Sequence, residues 1–161
     1  MPKVLRQRAN VIVASDHAGF AVKEYIKCLL VAMRFTVEDV GTFDTKSVDY
    51  PDYIAKAAVK VGRGVRRRAI VSCGSGIGAS MVANKVPGVR AALVDDAHSA
   101  RLSRQHNNAN VLVVAGRPFN KKRVKQIVAV WLTTRFEGGR HARRIRKISQ
   151  LEKRYLRKGK R

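Results

Sequence analysis

The chain has few cysteines, few acidic residues and no long apolar run, and each shortage narrows what the protein can be. Two cysteines in 161 residues cannot build a disulfide framework, which predicts a protein of the reducing cytoplasm. No apolar run approaches the roughly 20 residues of a membrane helix, so we expect no membrane contact. We also expect no secretory signal at the first residues. Because 45% of the residues are hydrophobic, a disordered or collagenous chain is excluded too.

The scarcity of acidic residues leaves a large positive charge. Thirty-four Lys and Arg against eleven Asp and Glu give a formal net charge of +23. The cations cluster in segments 63–68, 121–125 and 140–161, and the last of these holds a single acid, Glu152. Such a surface attracts polyanions. Since aromatic residues are only 6%, any binding of nucleic acid would be directed at phosphates, tolerant of sequence and steeply salt-dependent.

Short aliphatic runs alternate with helical patterns along the chain. We predict strands at 11–14, 35–40, 69–73, 91–94 and 111–114, because near-continuous apolar runs are typical of strands covered on both faces. The alternation predicts an α/β fold: a Rossmann-like, doubly wound, five-stranded parallel sheet with helices on both faces and a C-terminal helical tail. We assign residues 1–150 to one domain and 151–161 to a basic tail that continues the last helix.

The helices are predicted from apolar residues that recur at helical spacing. In the first helix, Lys23, Glu24 and Lys27 fall outside the apolar stripe, which consists of Ala21, Val22, Tyr25, Ile26, Leu29, Leu30 and Met33. Later helices are expected at about 53–61, 77–85, 97–106, 120–133 and 141–157. The apolar residues Ile127, Val128, Val130 and Trp131 lie beside the basic segment 121–125, and we expect them to cover the sheet as core.

Ligands of open α/β sheets bind outside the carboxyl ends of the strands. The predicted first strand is followed by Asp16 and His17, and the third by the segment Cys73–Gly78. Asp95 and Asp96 follow the fourth strand, and Gly116 and Arg117 follow the fifth. The topology therefore predicts a carboxylate, an imidazole, a thiol and a glycine-rich turn at one edge of the sheet.

The glycine-rich turn after Cys73 suits an anion, because glycines let backbone N–H groups point at it beside the positive end of a helix. The same surroundings would make the thiol a usable base or nucleophile; the alternative is a buried structural cysteine. A third interpretation is a dinucleotide fingerprint, G-x-G-x-x-A from Gly74 to Ala79, with Asp95 as the acid. Against it, the glycines follow the third strand and a cysteine precedes them. Cys28 is predicted to be structural.

Three polar clusters outside that turn are further candidates. His17 either caps the first helix or binds a ligand. His106 and Asn107 lie in a polar turn just before the fifth strand, where their side chains need partners. Arg140 and Arg144, one helical turn apart beside His141, offer a fork for phosphate, the alternative being a solvated basic helix. His98 is expected to be solvated. Histidines and cysteines are too scattered for a zinc site, so we predict no metal.

Seven segments of the chain resemble, in the same order, segments of the type B ribose-5-phosphate isomerase family, which includes the galactose-6-phosphate isomerase subunits. The similarity covers roughly residues 10–150. The matching segments are 14–20, 39–42, 48–53, 72–78, 83–90, 99–111 and 136–141. The resemblance implies metal-independent interconversion of an aldose phosphate and a ketose phosphate through an enediolate, within carbohydrate metabolism and without a cofactor. Ribose 5-phosphate is the family's usual substrate, and a six-carbon 6-phosphate would need only a roomier pocket.

The resemblance also implies roles for individual residues. Cys73 would move the proton between C1 and C2, while Ser75 and the amides of Gly74, Gly76 and Gly78 hold the enediolate oxygen. Asp16 and His106 would open the sugar ring, with Tyr50 and Asn107 on the sugar. The phosphate would be bound by His17, Arg140, His141 and Arg144. Since the family's sites lie between subunits, a homodimer or homotetramer is expected.

The basic segments depart from the family, whose members are usually near-neutral or acidic. Two explanations stay open. One is an interaction with nucleic acid or another polyanion. The other is redesign of the surface of an isomerase scaffold, to build an assembly with a designed partner chain. In either case the alternative function is that of a cationic binding module on an isomerase fold.

Overall fold

The computed structural model describes residues 8–64 and 68–158, and it contains every strand and helix that the sequence predicts. The strands are β1 Arg8–Ser15, β2 Phe35–Asp39, β3 Arg68–Cys73, β4 Ala91–Leu93 and β5 Val111–Ala115. The helices are α1 Phe20–Ala32, α2 Tyr50–Gly62, α3 Ile77–Ala83, α4 Ala97–Gln105, α5 Lys121–Thr133 and α6 Gly139–Lys158. Residues 65–67 of one basic segment and residues 159–161 of another lie outside the described residues.

All strand pairs are parallel, and the sheet order is β2-β1-β3-β5-β4. The register pairs Ser15 of β1 with Ser72 of β3, and Cys73 of β3 with Ala115 of β5. The central strands β1, β3 and β5 therefore end side by side. The predicted fold class, a five-stranded parallel α/β sheet with a C-terminal helix, is confirmed.

Both faces of the sheet are covered, which explains why its central strands are mostly apolar. Alternate residues of β1 point to opposite faces: Val11 and Val13 to one, Ile12 and Ala14 to the other. The first face packs against α1, α4 and α5, and the second against α2 and α3. Trp131 of α5 is fully buried in the first core, with Ile127 and Val128 beside it. The expectation that this apolar stretch is core is confirmed.

The position of Lys23 outside the apolar stripe of α1 suggests a solvent-facing side chain. The structure instead buries it. It is 1% exposed, and its ammonium donates to both carboxylate oxygens of Asp39 at 2.7 and 2.6 Å. The carboxylate also contacts Lys27 and accepts from the Gly41 amide. Burial alone would raise the pKa of Asp39, but these hydrogen bonds hold it below its usual value. The long lysine side chain is accommodated because its charge meets a carboxylate inside the fold.

The last helix, α6, continues without a break through residues 139–158. Its Glu152 side chain accepts hydrogen bonds from the Gly88 amide at 3.0 and 3.1 Å, which ties the helix to the loop after α3. Between α6 and the β4 side of the domain lies an open groove of about 980 Å³. Within residues 8–64 and 68–158, no helix is both long enough and apolar enough to cross a membrane.

Candidate active site

The carboxyl ends of β1 and β3 carry an acid and a thiol. Asp16 follows β1 directly and is buried, with its Oδ1 accepting a hydrogen bond of 2.9 Å from the Gly19 amide. Cys73 is the last residue of β3 and is 4% exposed. Because Ser15 pairs with Ser72, the two functional side chains share one edge of the sheet, which we call the carboxyl edge.

The loop after Cys73 turns sharply into α3. Gly76 has a left-handed φ of 78°, and a Cβ there would lie 2.5 Å from Leu93 Cδ1, so only glycine fits. The Ser75 hydroxyl accepts a hydrogen bond from the Ile77 amide at 3.3 Å. Tyr50, at the start of α2, lies against Gly78, where a Cβ would be 2.6 Å from its ring Cζ. The phenol of Tyr50 thus reaches the loop that carries the thiol and the serine.

Backbone contacts lock the loops of the carboxyl edge together. The Gly116 amide donates to the Cys73 carbonyl at 2.8 Å, and the Arg117 amide donates to the Gly74 carbonyl at 3.0 Å. A Cβ on Gly19 would come within 2.6 Å of the Ser72 carbonyl oxygen. These contacts place the exposed guanidinium of Arg117 at the same edge. Its position after the fifth strand was the only sequence signal for it, and the motifs assigned it no role.

His17 is held by the segment that leads into α2. Its Nδ1 accepts a hydrogen bond of 3.2 Å from the Val48 amide. That bond assigns the ring proton of the neutral form to Nε2, which leaves an N–H donor for a ligand. The structure therefore gives His17 a different task from capping α1, whose N-cap residue, Gly19, has no side-chain cap.

The other predicted site residues lie where the strands begin, at the opposite edge of the sheet, which we call the amino edge. His106 ends α4 and stacks on His141 of α6, with ring centroids 4.3 Å apart and planes 6° from parallel. The Glu137 amide donates to the Gln105 carbonyl at 3.1 Å and so holds the start of α6 beside the end of α4. Arg140 and Arg144 are exposed on the first turns of α6.

The amino edge combines cations that suit an anion with side chains that could hold a metal ion. His106, Glu137 and His141 bring three metal-ligating atoms within 4.8 Å of one another. However, the Arg140 Nε–H points at His141 Nε2 at 3.4 Å, the nitrogen that a metal would need. Burial, His106 and Arg140 all lower the pKa of His141, which disfavours its protonated form, so the positive charge of this edge comes from its arginines. The expected absence of a metal stays a prediction.

Two arginines position the turn that carries His106 and Asn107. Arg104 is 5% exposed and donates to the Asn108 side chain at 2.9 Å and to the Ala109 carbonyl. Arg90 donates to the Asn107 and Asn108 carbonyls from the other side. Asn108 itself has a positive φ of 44°, so the turn is tightly defined. Burial, Arg68 and Arg90 lower the pKa of Arg104 to about 10, which leaves it charged at neutral pH.

The two edges cannot meet within one chain. Val111 at the start of β5 pairs with Ala69, and Ala115 at its end pairs with Cys73. This stretch of sheet spans about 13 Å at 3.3 Å per residue, and His106 lies before it. The acid–thiol group and the paired histidines are therefore separated by at least the length of the sheet.

The chain matches the family model described as Ribose/Galactose Isomerase over residues 11–148. It belongs to this family. It is 41% identical to the ribose-5-phosphate isomerase B of Escherichia coli (strain K12) over 139 residues, which are 86% of this chain and 93% of that protein. Together with the fold and the two edges, this membership makes the protein an isomerase.

Solved structures in the family share the fold closely. The ribose-5-phosphate isomerase B of Mycoplasma genitalium, determined with bound ribulose-5-phosphate, superposes with a TM-score of 0.87 at 42% identity, covering 92% of this chain and 99% of that one. The ribose 5-phosphate isomerase of Thermotoga maritima gives a TM-score of 0.84 at 45% identity, covering 88% and 97%.

The structure sorts the predicted site residues into two groups. The carboxyl edge holds Asp16, His17, Tyr50, Cys73, Gly74, Ser75, Gly76 and Gly78, and the amino edge holds His106, Asn107, Arg140, His141 and Arg144. Other candidates have structural tasks: Asp96 caps α4, and Asp95 pairs with Arg123 at 2.9 Å. The latter contact and the position of the glycines after β3 remove the support for a dinucleotide site. His98 is exposed, as expected. The prediction that Cys28 is structural is wrong, because its side chain lies on the exposed surface of α1 and not in the core.

Proposed function

We propose that the protein interconverts ribose 5-phosphate and ribulose 5-phosphate through an enediolate, without a metal, and that Cys73 is the base. The observation that carries the proposal is the carboxyl edge, where the thiol ends β3 beside a glycine loop, Ser75, Asp16 and Tyr50. The ribulose-5-phosphate in the structure of the Mycoplasma genitalium relative supports this choice of substrate.

The proton transfer needs a base and a stabilised oxyanion. Cys73 lies at a strand end, where its thiolate can take a proton from one of the adjacent carbons C1 and C2 and return it to the other. Negative charge develops on the enediolate oxygen meanwhile. Ser75 and the amides of Gly74, Gly76 and Gly78 are fixed in position by the loop, so stabilising that charge requires little reorganisation.

We place ring opening before the proton transfer, because C1 and C2 can exchange a proton only in the open-chain sugar. Asp16 is buried with Oδ1 held by the Gly19 amide, and we assign its Oδ2 to a sugar hydroxyl. His106 acts as the second proton-transfer group. Tyr50 and Asn107 position the sugar between them, with the phenol lying against Gly78.

The distance between the two edges supports a site shared by two copies of the chain. His106, Asn107, Arg140, His141 and Arg144 would reach the carboxyl edge of a second subunit. The cations on α6 and His17 would then hold the phosphate, with Arg117 as a further cation on the carboxyl edge. Because the phosphate is remote from the reacting carbons, its binding energy serves to position C1 and C2. A homodimer satisfies this arrangement, and a homotetramer of such dimers does as well.

The test is an isomerase assay on ribose 5-phosphate at moderate salt with three proteins. Cys73→Ala should abolish turnover while substrate binding stays nearly intact, because the thiol takes part in chemistry rather than in holding the phosphate. Cys28→Ala, at the exposed cysteine of α1, is the matched control and should be fully active. Turnover near that of the unaltered protein in Cys73→Ala would disprove the assigned role.

Two further substrates define the sugar. Allose 6-phosphate and galactose 6-phosphate carry an additional carbon and are assayed under the same conditions. Higher kcat/KM on either than on ribose 5-phosphate would replace the proposed substrate. Absence of turnover on all three, from a folded oligomer, would overturn the isomerase activity proposed for this chain.

A further inference from the structure

The outer face of α6 carries a dense stripe of cations. Five cations whose side chains the structure describes fall within an arc of about 120° when successive side chains are placed 100° apart around the helix. They are Arg143, Arg146, Lys147, Lys153 and Arg154, and all five are exposed. We call these five residues the cationic face. It excludes Arg140 and Arg144, which belong to the candidate active site.

Within residues 8–64 and 68–158, no acidic side chain neutralises the charge of the cationic face. Among the described residues, none of its five side chains has a carboxylate within 4.0 Å. The single acid of α6, Glu152, lies on the opposite side of the helix and is hydrogen-bonded to the Gly88 amide. In contrast, Arg123 on α5 is paired with Asp95.

The apolar side of α6 is turned toward the domain. Ile148, Leu151 and Tyr155 line the groove that Pro87 and Val89 close from the other side. A helix that binds a membrane surface lays its apolar side on the lipid. Here the apolar residues border the groove, although they are about half exposed or more. The five cations lie on a different arc of the helix, so they can contact phosphate groups in solution without the apolar side taking part.

We propose that the cationic face binds the phosphate backbone of double-stranded nucleic acid without reading its sequence. From Arg143 to Arg154 the helix rises about 17 Å, and that length of duplex presents about ten phosphates. The face has no aromatic side chain to stack on unpaired bases. Backbone contacts by Arg and Lys position a protein on a duplex but do not select a sequence. This inference does not depend on the proposed isomerase activity.

Five phosphate contacts predict a strong dependence on salt. Because binding releases counterions, log K plotted against log[salt] has a slope of about −0.9 per phosphate contact on DNA, which gives about −4.5 for five contacts. Raising monovalent salt from 50 to 200 mM should therefore weaken binding about 500-fold. A change of base sequence should alter the affinity far less than this.

The experiment measures anisotropy of labelled duplexes, one DNA and one RNA, each in two unrelated sequences, across a salt titration. The test variant is Arg143→Gln/Arg146→Gln/Lys147→Gln/Lys153→Gln/Arg154→Gln. We expect it to bind at least 100-fold more weakly at 50 mM salt and to lose most of the salt slope. Its isomerase turnover should be unchanged, since no residue of either edge is altered.

The matched control removes the same charge from elsewhere on the surface: Lys56→Gln/Arg63→Gln/Lys121→Gln/Lys122→Gln/Lys125→Gln, all exposed residues. It should keep most of the affinity. Equal losses in both five-site variants would show that net charge, and not this helix, attracts the duplex, and would overturn the proposal. So would undiminished binding by the test variant, no binding by the unaltered protein, or a preference for anionic vesicles of phosphatidylserine and phosphatidylcholine over both duplexes.

Discussion

Buried cations hold both edges of the sheet, but their partners differ. Near the carboxyl edge, Lys23 is paired with the carboxylate of Asp39, which also binds the Gly41 amide. At the amino edge, the partners of Arg104 among the described residues are neutral oxygens of Asn108 and Ala109. Its guanidinium lies over Trp131, 5.6 Å from the ring centroid. Arg68 lies at the same distance from that ring.

We relate this difference to what each edge is proposed to bind. The carboxyl edge is proposed to present the carboxylate of Asp16 to the substrate. The ion pair of Lys23 and Asp39 near this edge carries no net charge.

The amino edge is proposed to bind a phosphate, which a buried carboxylate would repel. The carboxylate of Glu137 at this edge is half exposed and lies 3.7 Å from His141. The turn that carries His106 and Asn107 is supported by the guanidinium of Arg104 and by neutral groups, so the electrostatic potential there stays positive. The lowered pKa of Arg104, about 10, reflects that arrangement.

The largest effect should come from combining the two edges in different subunits. Cys73→Ala disables the carboxyl edge, and Arg140→Ala/Arg144→Ala disables the amino edge. Each should be nearly inactive alone. Co-expressed in equal amounts they should recover about a quarter of full activity, because half of the dimers are mixed and one of their two sites is intact. Turnover of the purified mixture is the measurement.

The control for that experiment mixes two variants of the same edge, Cys73→Ala and Asp16→Asn. No mixed dimer then contains an intact site, so activity should stay low. Recovery in this control, or none in the first mixture, would rule out sites shared in the proposed way.

Next in size is the loss of the buried ion pair. Asp39→Asn leaves the ammonium of Lys23 buried without its carboxylate, and we expect it to lower the free energy of unfolding by about 3–5 kcal/mol. Denaturant unfolding at pH 7 measures this. Glu24→Gln, on an exposed partner of the same lysines, should cost less than about 1 kcal/mol. Equal losses of unfolding free energy in Asp39→Asn and Glu24→Gln would show that burial of the ion pair does not matter.

The same pair predicts a pH dependence. Because the folded-state pKa of Asp39 is lowered, its stabilisation is full above the unfolded pKa of about 3.9 and is lost as pH falls through the folded value. The melting temperature of the unaltered protein should therefore drop on acidification below about pH 4. In Asp39→Asn this part of the drop should be absent.

A smaller effect is expected from Arg104→Met, which removes the cation from beneath the amino edge. The oxygens of Asn108 and Ala109 lose a buried donor, which should lower the free energy of unfolding by about 1–3 kcal/mol. This loss is partly offset because the charge no longer has to be buried. Turnover should fall more than tenfold as His106 and Asn107 lose their fixed position. Arg104→Lys restores the charge but not the guanidinium that contacts both oxygens. Activity like that of the unaltered protein in Arg104→Met would refute the positioning role.

The smallest expected effect is that of metal removal. Dialysis against EDTA should leave turnover unchanged, since the arginine beside His141 favours an anion. A loss of activity restored by Zn²⁺ would instead identify the His106, Glu137 and His141 cluster as a metal site.

Sequence patterns located the elements and much of the candidate site, and particular residues show why they succeeded. Asp16, Cys73 and the glycine loop were predicted to share an edge because the carboxyl ends of parallel strands always do. Lys23 was misplaced because periodicity takes lysine as a surface residue and cannot detect a carboxylate that joins it from another strand. Arg104 and Arg90 lie in segments that match the family, but the sequence assigned them no task, because the oxygens they bind become neighbours only when α4 and β4 pack beside β5.

The sequence by itself determined the five strands, the parallel sheet, the residue types of the two edges and the excess of positive charge, because these follow from local periodicity and composition. Only the tertiary structure decided that the edges lie a strand's length apart, that the histidines of α4 and α6 stack, and that the cations of α6 face away from the domain. Those relations depend on contacts between segments distant in the chain. No local pattern records them, since packing fixes them only when the whole fold has formed.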